Sequence, residues 1–146
     1  MKAAVIYASK SGNTKKIADA IAQQIGIQAH NISLNTQSPS IEDIDVVFIG
    51  TGIHAGTPNP DIEKYLNALN LKEPKQFVFF ITWGGAGRTD KQVKTRLQAI
   101  LVDKGHRVLE DYFICYGGWK LLRRGRPNTD DVKAAVEWVK KILSQL

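Results

Sequence analysis

The sequence predicts an α/β protein, a three-layer sandwich in which helices cover both faces of a five-stranded parallel sheet. Five apolar runs of strand length alternate along the chain with segments of helical periodicity. Three of these runs are almost continuously apolar, which is typical of parallel strands buried on both faces. Strands separated by helices connect through right-handed crossovers, so the helices should lie on the two sides of one sheet.

The first, third and fourth runs are the nearly continuous ones, and they should form the centre of the sheet. The second run is interrupted by polar residues, which indicates an edge strand. The five predicted strands are residues 3–8, 27–34, 45–50, 76–83 and 107–115.

Four helices are predicted from apolar stripes with a spacing of three or four residues. Gly26 follows the first stripe, where a helix end favours a left-handed residue, and the third stripe ends before Gly105. Asn59 and Pro60 suit the cap and first residue of the second helix, and Asn128 precedes the fourth. The stripes span residues 17–25, 62–69, 93–101 and 132–143.

Composition and charge limit the function classes. The chain has 146 residues, 43% hydrophobic and 23% charged, as expected for one globular domain over residues 1–146. No apolar run approaches the ~20 residues of a membrane span, and the N-terminal segment becomes polar too early for a signal peptide, so we expect a cytoplasmic protein. The single cysteine, Cys115, excludes an internal disulfide and a multi-cysteine metal site, and no metal-ligand spacing joins the three histidines.

The net charge of +6 is concentrated near the end of the chain, where residues 120–146 hold seven basic and three acidic side chains. Four of the cations, Lys120, Arg123, Arg124 and Arg126, form a basic loop directly after the fifth strand. Such a loop can be a solvated surface or a docking site for an acidic protein. Nucleic-acid binding is less favoured, because no recognition helix or aromatic platform accompanies the charge.

Ligands of such a sheet bind beyond the carboxyl ends of the strands, so the loops there are the candidate site. The first of these loops carries three hydroxyls and one amide at the start of a helix, a combination that suits a phosphate. It lacks the Gly-Lys-Ser/Thr of a nucleotide-hydrolysing P-loop, and a plain Ser/Thr-rich turn with a helix cap is the alternative. The loop consists of Ser9, Lys10, Ser11, Gly12, Asn13 and Thr14.

Two further loops are rich in glycine, which lets a backbone come close to a flat ligand. They could form two walls of one pocket, although neither fits G-x-G-x-x-G and each could be a simple connection. The predicted pocket residues are Thr51, Gly52, Ile53, His54, Ala55 and Gly56 in the second loop, and Thr82, Trp83, Gly84, Gly85, Ala86 and Gly87 in the third.

The first loop resembles the phosphate loop of flavodoxins, T/S-x-S/T-G-x-T, at every constrained position. The alternation of strands and helices over the whole chain also resembles the flavodoxin-like fold, for which the strand order 2-1-3-4-5 is expected. The fifth strand lacks the insertion of long-chain flavodoxins, so the chain is similar to a short-chain member. The resemblance implies that the first loop holds the FMN phosphate and that the other two loops frame the isoalloxazine ring.

By the same resemblance, the protein is an electron carrier without catalytic residues, which cycles FMN through quinone, semiquinone and hydroquinone states between redox partner proteins. In many flavodoxins a peptide of the second loop reverses to accept a hydrogen bond from the reduced ring, and the matching peptide lies near Ala55-Gly56. One alternative is an FMN oxidoreductase linked to quinones or NAD(P)H, such as the protoporphyrinogen oxidase of flavodoxin type. Another is a cofactor-free binding domain that uses the basic loop.

Two features depart from the usual flavodoxin pattern. The second loop has Ile53 and His54 where flavodoxins commonly place an aromatic side chain on the ring, and the chain is basic where flavodoxins are usually acidic. The basic loop therefore predicts redox partners with an acidic docking surface. His54 either contacts the flavin or is a solvent-exposed loop residue, whereas His30 and His106 are predicted to lie on the surface.

Overall fold

We describe residues 1–33, 38–118 and 123–146 of a computed structural model. Lys120 of the basic loop and the last residue of the second predicted strand lie outside these residues. The elements, in chain order, are β1 (Ala3–Tyr7), α1 (Asn13–Ile25), β2 (Ala29–Asn31), β3 (Val46–His54), β4 (Thr57–Pro58), α2 (Pro60–Ala68), β5 (Gln76–Trp83), α3 (Thr89–Asp103), β6 (Arg107–Val108), β7 (Phe113–Tyr116) and α4 (Thr129–Gln145).

Five parallel strands form the sheet in the order β2-β1-β3-β5-β6. This is the predicted order 2-1-3-4-5, with β5 as the fourth predicted strand, and it confirms the predicted fold class. The predicted bounds of the fourth strand match β5. β2 is an edge strand as expected, but it spans only three residues of the predicted run 27–34. β3 continues four residues beyond its predicted end, because its last part pairs with both β5 and the short antiparallel β4.

The fifth predicted strand is divided in two, which corrects the expectation of one continuous run. β6 and β7 both pair with β5, but the chain between them leaves the sheet. There the Tyr112 hydroxyl donates to Asp90 at 2.7 Å, and Asp111 accepts from Lys141 at 2.9 Å. The Leu109 N–H still donates to the Phe77 carbonyl at 3.0 Å, so the departure involves residues 110–112, whose carboxylate and hydroxyl find their partners in α3 and α4.

Helices cover both faces of the sheet, as predicted. Alternate residues of each strand point to opposite faces, so the sheet supplies two separate apolar cores. On one face α1 and α4 pack against Phe48 and Phe80, and on the other α2 and α3 pack against Phe77 and Phe79. All four rings are fully buried, and burying each such side chain contributes about 1.5–3 kcal/mol.

The helix ends agree with the predicted caps. Gly26 ends α1 with φ 89°, and its N–H donates to the Ala22 carbonyl at 2.8 Å. The Asn59 side chain accepts from the Asp61 N–H at 2.8 Å at the start of α2, with Pro60 as the first helical residue. These local signals fix where α1 ends, just before β2, and where α2 begins, after the β3–β4 hairpin.

No helix within residues 1–33, 38–118 and 123–146 is long and apolar enough to cross a membrane.

His106 is buried, so the prediction that it lies on the surface was wrong. Its side chain packs against Phe77 with the ring centroids 5.3 Å apart, and its Nδ1 accepts from the Lys75 N–H at 3.0 Å. Burial, together with the charges of Lys104 and Lys75, lowers the pKa of His106 below its ordinary value. The fold therefore requires the neutral ring, because a protonated Nδ1 could not accept the Lys75 N–H.

This arrangement predicts acid sensitivity. Because the folded-state pKa of His106 is lowered, its stabilising contribution is complete above the unfolded-state pKa of about 6.5 and is lost as the pH falls through the folded-state value. We expect the free energy of unfolding, measured with urea between pH 8 and 5, to fall in the acid half of that range. His106→Asn keeps an acceptor but cannot titrate, so it should flatten this fall while costing about 1–2 kcal/mol at pH 8 through lost packing.

The matched control is His30→Asn, which removes an exposed histidine of β2 and should leave the pH dependence unchanged. An undiminished acid loss in His106→Asn would show that other groups cause it.

Candidate functional site

A cavity of about 850 Å³ opens beyond the carboxyl ends of β1, β3 and β5. It is the place where the three predicted loops meet, and fourteen of their eighteen predicted residues line it. The four that do not line it are Gly12, Thr51, Gly85 and Gly87. The sequence therefore located the cavity, although not the role of each residue in it.

The first loop folds over the N-terminus of α1. The Ser9 hydroxyl accepts from the Gly12 N–H at 3.0 Å, and the Ser11 hydroxyl accepts from the Asn13 N–H at 3.5 Å. Gly12 has φ 89° and caps α1 without a side-chain hydrogen bond. A glycine is suited to this position, since the left-handed conformation disfavours other residues. The loop thus gathers hydroxyls and backbone donors at the positive end of a helix, which is favourable for an anion.

The start of α1 is fixed by a buried contact to β5 and a partly buried contact to the segment after β7. The Thr14 hydroxyl lies 2.9 Å from the Thr82 hydroxyl at the end of β5. The Asn13 side-chain N–H donates to the Gly118 carbonyl at 2.8 Å. A Cβ on Gly117 would lie 2.9 Å from the Asn13 amide nitrogen, so the close approach of these segments depends on a glycine there.

Gly117 and Gly118 line the cavity but were not named as site residues by sequence reasoning. Their signal was available, because a pair of glycines directly follows the fifth predicted strand and loops at that edge were expected to hold the site. They form a fourth wall beside the first loop.

The second loop is a two-residue hairpin. His54 pairs with Thr57 across it, and the two turn residues, Ala55 and Gly56, have φ of 51° and 77°. Two positive φ angles define a type I′ turn, in which alanine costs roughly 1–2 kcal/mol relative to an extended or helical conformation. Reversing the Ala55-Gly56 peptide alone would give a type II′ turn, whose first position favours glycine. Ala55 therefore disfavours that reversal.

Thr51 closes the base of this hairpin and does not face the cavity. It is fully buried; its hydroxyl donates to the Gly52 carbonyl at 2.8 Å and accepts from the Asn59 N–H at 2.9 Å. Gly52, the next residue, forms part of the cavity wall, and a Cβ there would lie 3.4 Å from His54 Nε2 and 3.7 Å from the Thr82 hydroxyl. The missing side chain leaves this part of the cavity open.

The third loop contributes backbone more than side chains. Trp83 is the last residue of β5, as expected, and lines the cavity with Gly84 and Ala86. Gly85 has φ 88° and turns away, and a Cβ there would lie 2.8 Å from the Tyr116 ring. Beyond Trp83, the part of the third loop that lines the cavity therefore has no side chain larger than a methyl group.

A chain of hydrogen bonds that sequence reasoning missed joins the first loop to α2. The Asn31 side chain donates to the Ser9 carbonyl at 3.1 Å and accepts from the Ser9 N–H at 3.4 Å. Asn31 also accepts from the Ser33 N–H at 3.0 Å, and the Ser33 hydroxyl donates to Asp61 at 3.0 Å. Asp61 lines the cavity. This Asn31–Ser33–Asp61 link holds two walls of the cavity together.

The basic loop is less charged than its composition indicates. Arg126 makes two hydrogen bonds to Asp131, at 2.6 and 2.7 Å, and this arginine holds the pKa of the Asp131 carboxyl below its usual value. The Arg123 guanidinium lies 4.0 Å from the centre of the Tyr116 ring, a cation–π contact, and Arg124 is exposed. The described cations of the basic loop that face solvent are thus Arg123 and Arg124.

Nucleophilic and metal-dependent chemistry receive no support from these residues. Burial raises the pKa of the Cys115 thiol to about 12, so it stays protonated and unreactive at neutral pH. The described ranges contain no group of three or more histidine, cysteine, aspartate or glutamate side chains placed to hold a metal ion.

The chain matches known proteins over most of its length. The family model described as "Flavodoxin domain" matches residues 4–121. An uncharacterised protein of Methanocaldococcus jannaschii is 33% identical over 152 residues, covering 98% of this chain and 99% of that protein. Among solved structures, Flavodoxin 2 of Bacillus cereus has a TM-score of 0.78 at 17% identity, covering 100% of both chains. Flavodoxin 1 of the same organism has 0.75 at 21%, covering 100% of this chain and 99% of its own.

The two glycines of β3 should respond differently to alanine. A Cβ on Gly50 would lie 2.2 Å from the Phe80 ring, so Gly50→Ala should cost about 1–3 kcal/mol of unfolding free energy. A Cβ on Gly52 meets only ordinary contact distances, so Gly52→Ala should fold normally. It would nevertheless occupy the cavity and weaken binding of FMN, the ligand that the sequence resemblance implies, by about tenfold.

Urea unfolding and flavin-fluorescence titration measure the two effects separately. Unchanged FMN affinity in a normally stable Gly52→Ala would place the ligand away from this wall.

Proposed function

The chain belongs to the flavodoxin domain family, and from that premise we propose that it binds one FMN in a single domain and carries electrons between redox partner proteins. The main support for the proposal is that the first loop places its hydroxyls and the N-terminus of α1 at one end of the cavity. Glycine-containing loops line the rest of that cavity. A phosphate and a flat ring are the two chemical parts that such walls accept.

The described residues that line the cavity are of the chemical types that could hold FMN. The phosphate would be held by Ser9, Ser11, Asn13 and Thr14, which offer uncharged donors, with the charged Lys10 beside them at the cavity wall. A cavity of about 850 Å³ lies within the usual range of about 300–1,000 Å³ for cofactor and ligand sites. Bound FMN supplies one-electron transfer, and the chain supplies binding, orientation and electrostatics.

The ring end of the cavity would be framed by Ile53 and His54 on one side and by Trp83, Gly84 and Ala86 on the other. Ile53 and Trp83 are half-buried and offer apolar surface, whereas His54 is exposed at the end of β3. In this placement His54 brings an imidazole beside the ring, and the hairpin turn at Ala55 fixes the direction of the adjacent peptide.

A second candidate is an FMN oxidoreductase that reduces a quinone directly. The third loop favours it, because Gly84 and Ala86 carry no side chain large enough to cover a ring face. The carrier remains our first proposal, since the family model that matches the chain is that of the flavodoxin domain. Rapid reoxidation of the reduced protein by a quinone, or its direct reduction by NADPH, would favour the oxidoreductase.

The partners we propose are redox proteins with an acidic docking surface, and the location we propose is the cytoplasm. Support for the partner class comes from exposed Arg123 and Arg124, which follow β7 at the same edge of the sheet as the cavity. Charges of one sign around a site steer oppositely charged partners toward it.

The direct test is the visible spectrum and flavin content of the purified protein, followed by an anaerobic redox titration. We expect one FMN per chain and two one-electron steps. A protein that neither retains nor takes up flavin would leave the cofactor-free binding domain as the function.

Phosphate recognition is tested by comparing FMN with riboflavin, which lacks the phosphate. Removing a hydrogen bond to a charged group costs about 1.5–3 kcal/mol, so Ser11→Ala and Thr14→Val should each weaken FMN tenfold or more. Riboflavin should lose little, as measured by fluorescence titration of both flavins. The control Thr95→Val removes an exposed hydroxyl of α3 and should change neither affinity. Equal losses for FMN and riboflavin would contradict this placement of the phosphate.

The charge of the basic loop is tested with small oxidants. Arg124→Glu should slow oxidation of the reduced, flavin-loaded protein by anionic ferricyanide roughly threefold, because the positive field at the site falls. Oxidation by cationic tris(phenanthroline)cobalt(III) should become faster. Both effects should shrink with added salt, since the Debye length is only about 10 Å at 0.1 M.

The matched variant is Lys72→Glu, which makes the same change of net charge at an exposed residue preceding β5, at the opposite edge of the sheet. Stopped-flow rates that respond equally to both variants would show that net charge alone matters and that the basic loop has no special place.

A further inference from the structure

The pair Thr14–Thr82 joins the first loop to the third through a buried hydroxyl contact. The two oxygens are 2.9 Å apart, and the residues are 2% and 4% exposed. Thr14 is the second residue of α1, and Thr82 lies near the end of β5, directly opposite Gly52 of β3. Both residues line the cavity. The contact therefore lies at the junction of three walls.

The direction of this hydrogen bond decides what Thr14 can offer a ligand. A hydroxyl has one proton and two lone pairs, so one member of the pair donates and the other accepts. If Thr82 donates, the Thr14 proton remains free for the first loop. If Thr14 donates, its oxygen presents only lone pairs, which repel an anion.

A phosphate in the first loop selects the first arrangement. Its negative charge favours a donated proton from Thr14, and this charge-assisted bond is strengthened when Thr82 donates to the same Thr14 oxygen. An unphosphorylated ligand gives no such preference. The hydroxyl of Thr82 can thus affect affinity for a phosphate that it does not itself contact.

We propose that Thr82 is a positioning residue for the phosphate site, which acts through Thr14 and sets the preference for FMN over unphosphorylated flavin. The inference rests on the proposed function. It follows from the buried Thr14–Thr82 contact and from the position of Thr14 at the N-terminus of α1. It also follows because only one of the two hydroxyls can donate the hydrogen bond that joins them.

The experiment is a double-mutant cycle of Thr14→Val and Thr82→Val with FMN and riboflavin as ligands. Threonine and valine are similar in shape, so the exchange removes the hydroxyl with little change of volume. Thr82→Val should weaken FMN about fivefold and riboflavin less than about twofold, as expected for the loss of one hydrogen bond. In the Thr14→Val background, Thr82→Val should change FMN affinity less than about twofold, because the residue through which it acts is gone.

Thr82→Ser keeps the hydroxyl and should bind FMN within about twofold of the parent. Thr82→Ala is a second variant without the hydroxyl, to be used if valine prevents folding, and thermal midpoints verify that each variant is folded. Thr95→Val again controls for loss of an unrelated hydroxyl.

Each outcome decides the question. If Thr82→Val weakens both flavins equally, or if the two valine effects on FMN add, Thr82 acts by another route and the inference is overturned while the proposed function stands. If the parent binds no FMN, the proposed function and this inference fail together. The positioning role is established by three results together. Thr82→Val lowers the preference for FMN over riboflavin, Thr82→Ser keeps that preference, and Thr82→Val has no further effect on it in the Thr14→Val background.

Discussion

The site depends on the register between β3 and β5, in which the Phe80 ring packs against the backbone of Gly50. Gly50 of β3 lies opposite Phe80 of β5, and the Phe80 ring occupies the space where a side chain at Gly50 would be. Because side chains alternate along a strand, this pairing also sets Gly52 opposite Thr82, two residues further on. A slip by one residue would turn Thr82 to the other face and remove its contact with Thr14. The packing of the core therefore places the polar groups of the site.

With the strands in this register, polar contacts across the carboxyl edge of the sheet hold the loops together. Thr82 holds the start of α1 through Thr14, and Asn31 holds the preceding loop through both backbone groups of Ser9. Thr51 ties the hairpin to the start of α2. These bonds restrain the walls of the cavity before any ligand arrives, which lowers the conformational entropy that the protein must lose when a ligand binds.

Local patterns were enough to predict the fourth strand, the helix caps and the loops around the cavity, because periodicity and cap residues act over a few positions. The strand order was expected from the resemblance to the flavodoxin-like fold. They failed where a distant partner decided the outcome. Asn31 is 22 residues from Ser9 and the Asn13 contact spans 105 residues, so no window of sequence shows that they meet. The break in the fifth strand and the burial of His106 likewise depend on partners in α3, in α4 and before β5.

The cations of the basic loop are separate from the residues that line the cavity, whose charged members are Lys10 and Asp61. The hydroxyls and amides at the N-terminus of α1 are uncharged. Arg126, the cation of the basic loop that is closest in sequence to α4, is paired with Asp131 at the start of that helix. The pair also belongs to the cap of α4, since the Asn128 N–H donates to the same carboxylate. Arg126 therefore stabilises the loop geometry, while the exposed Arg123 and Arg124 are available to a partner. The outer cations can therefore be substituted without altering the groups that line the cavity, and such substitutions would act on the proposed acidic partner alone.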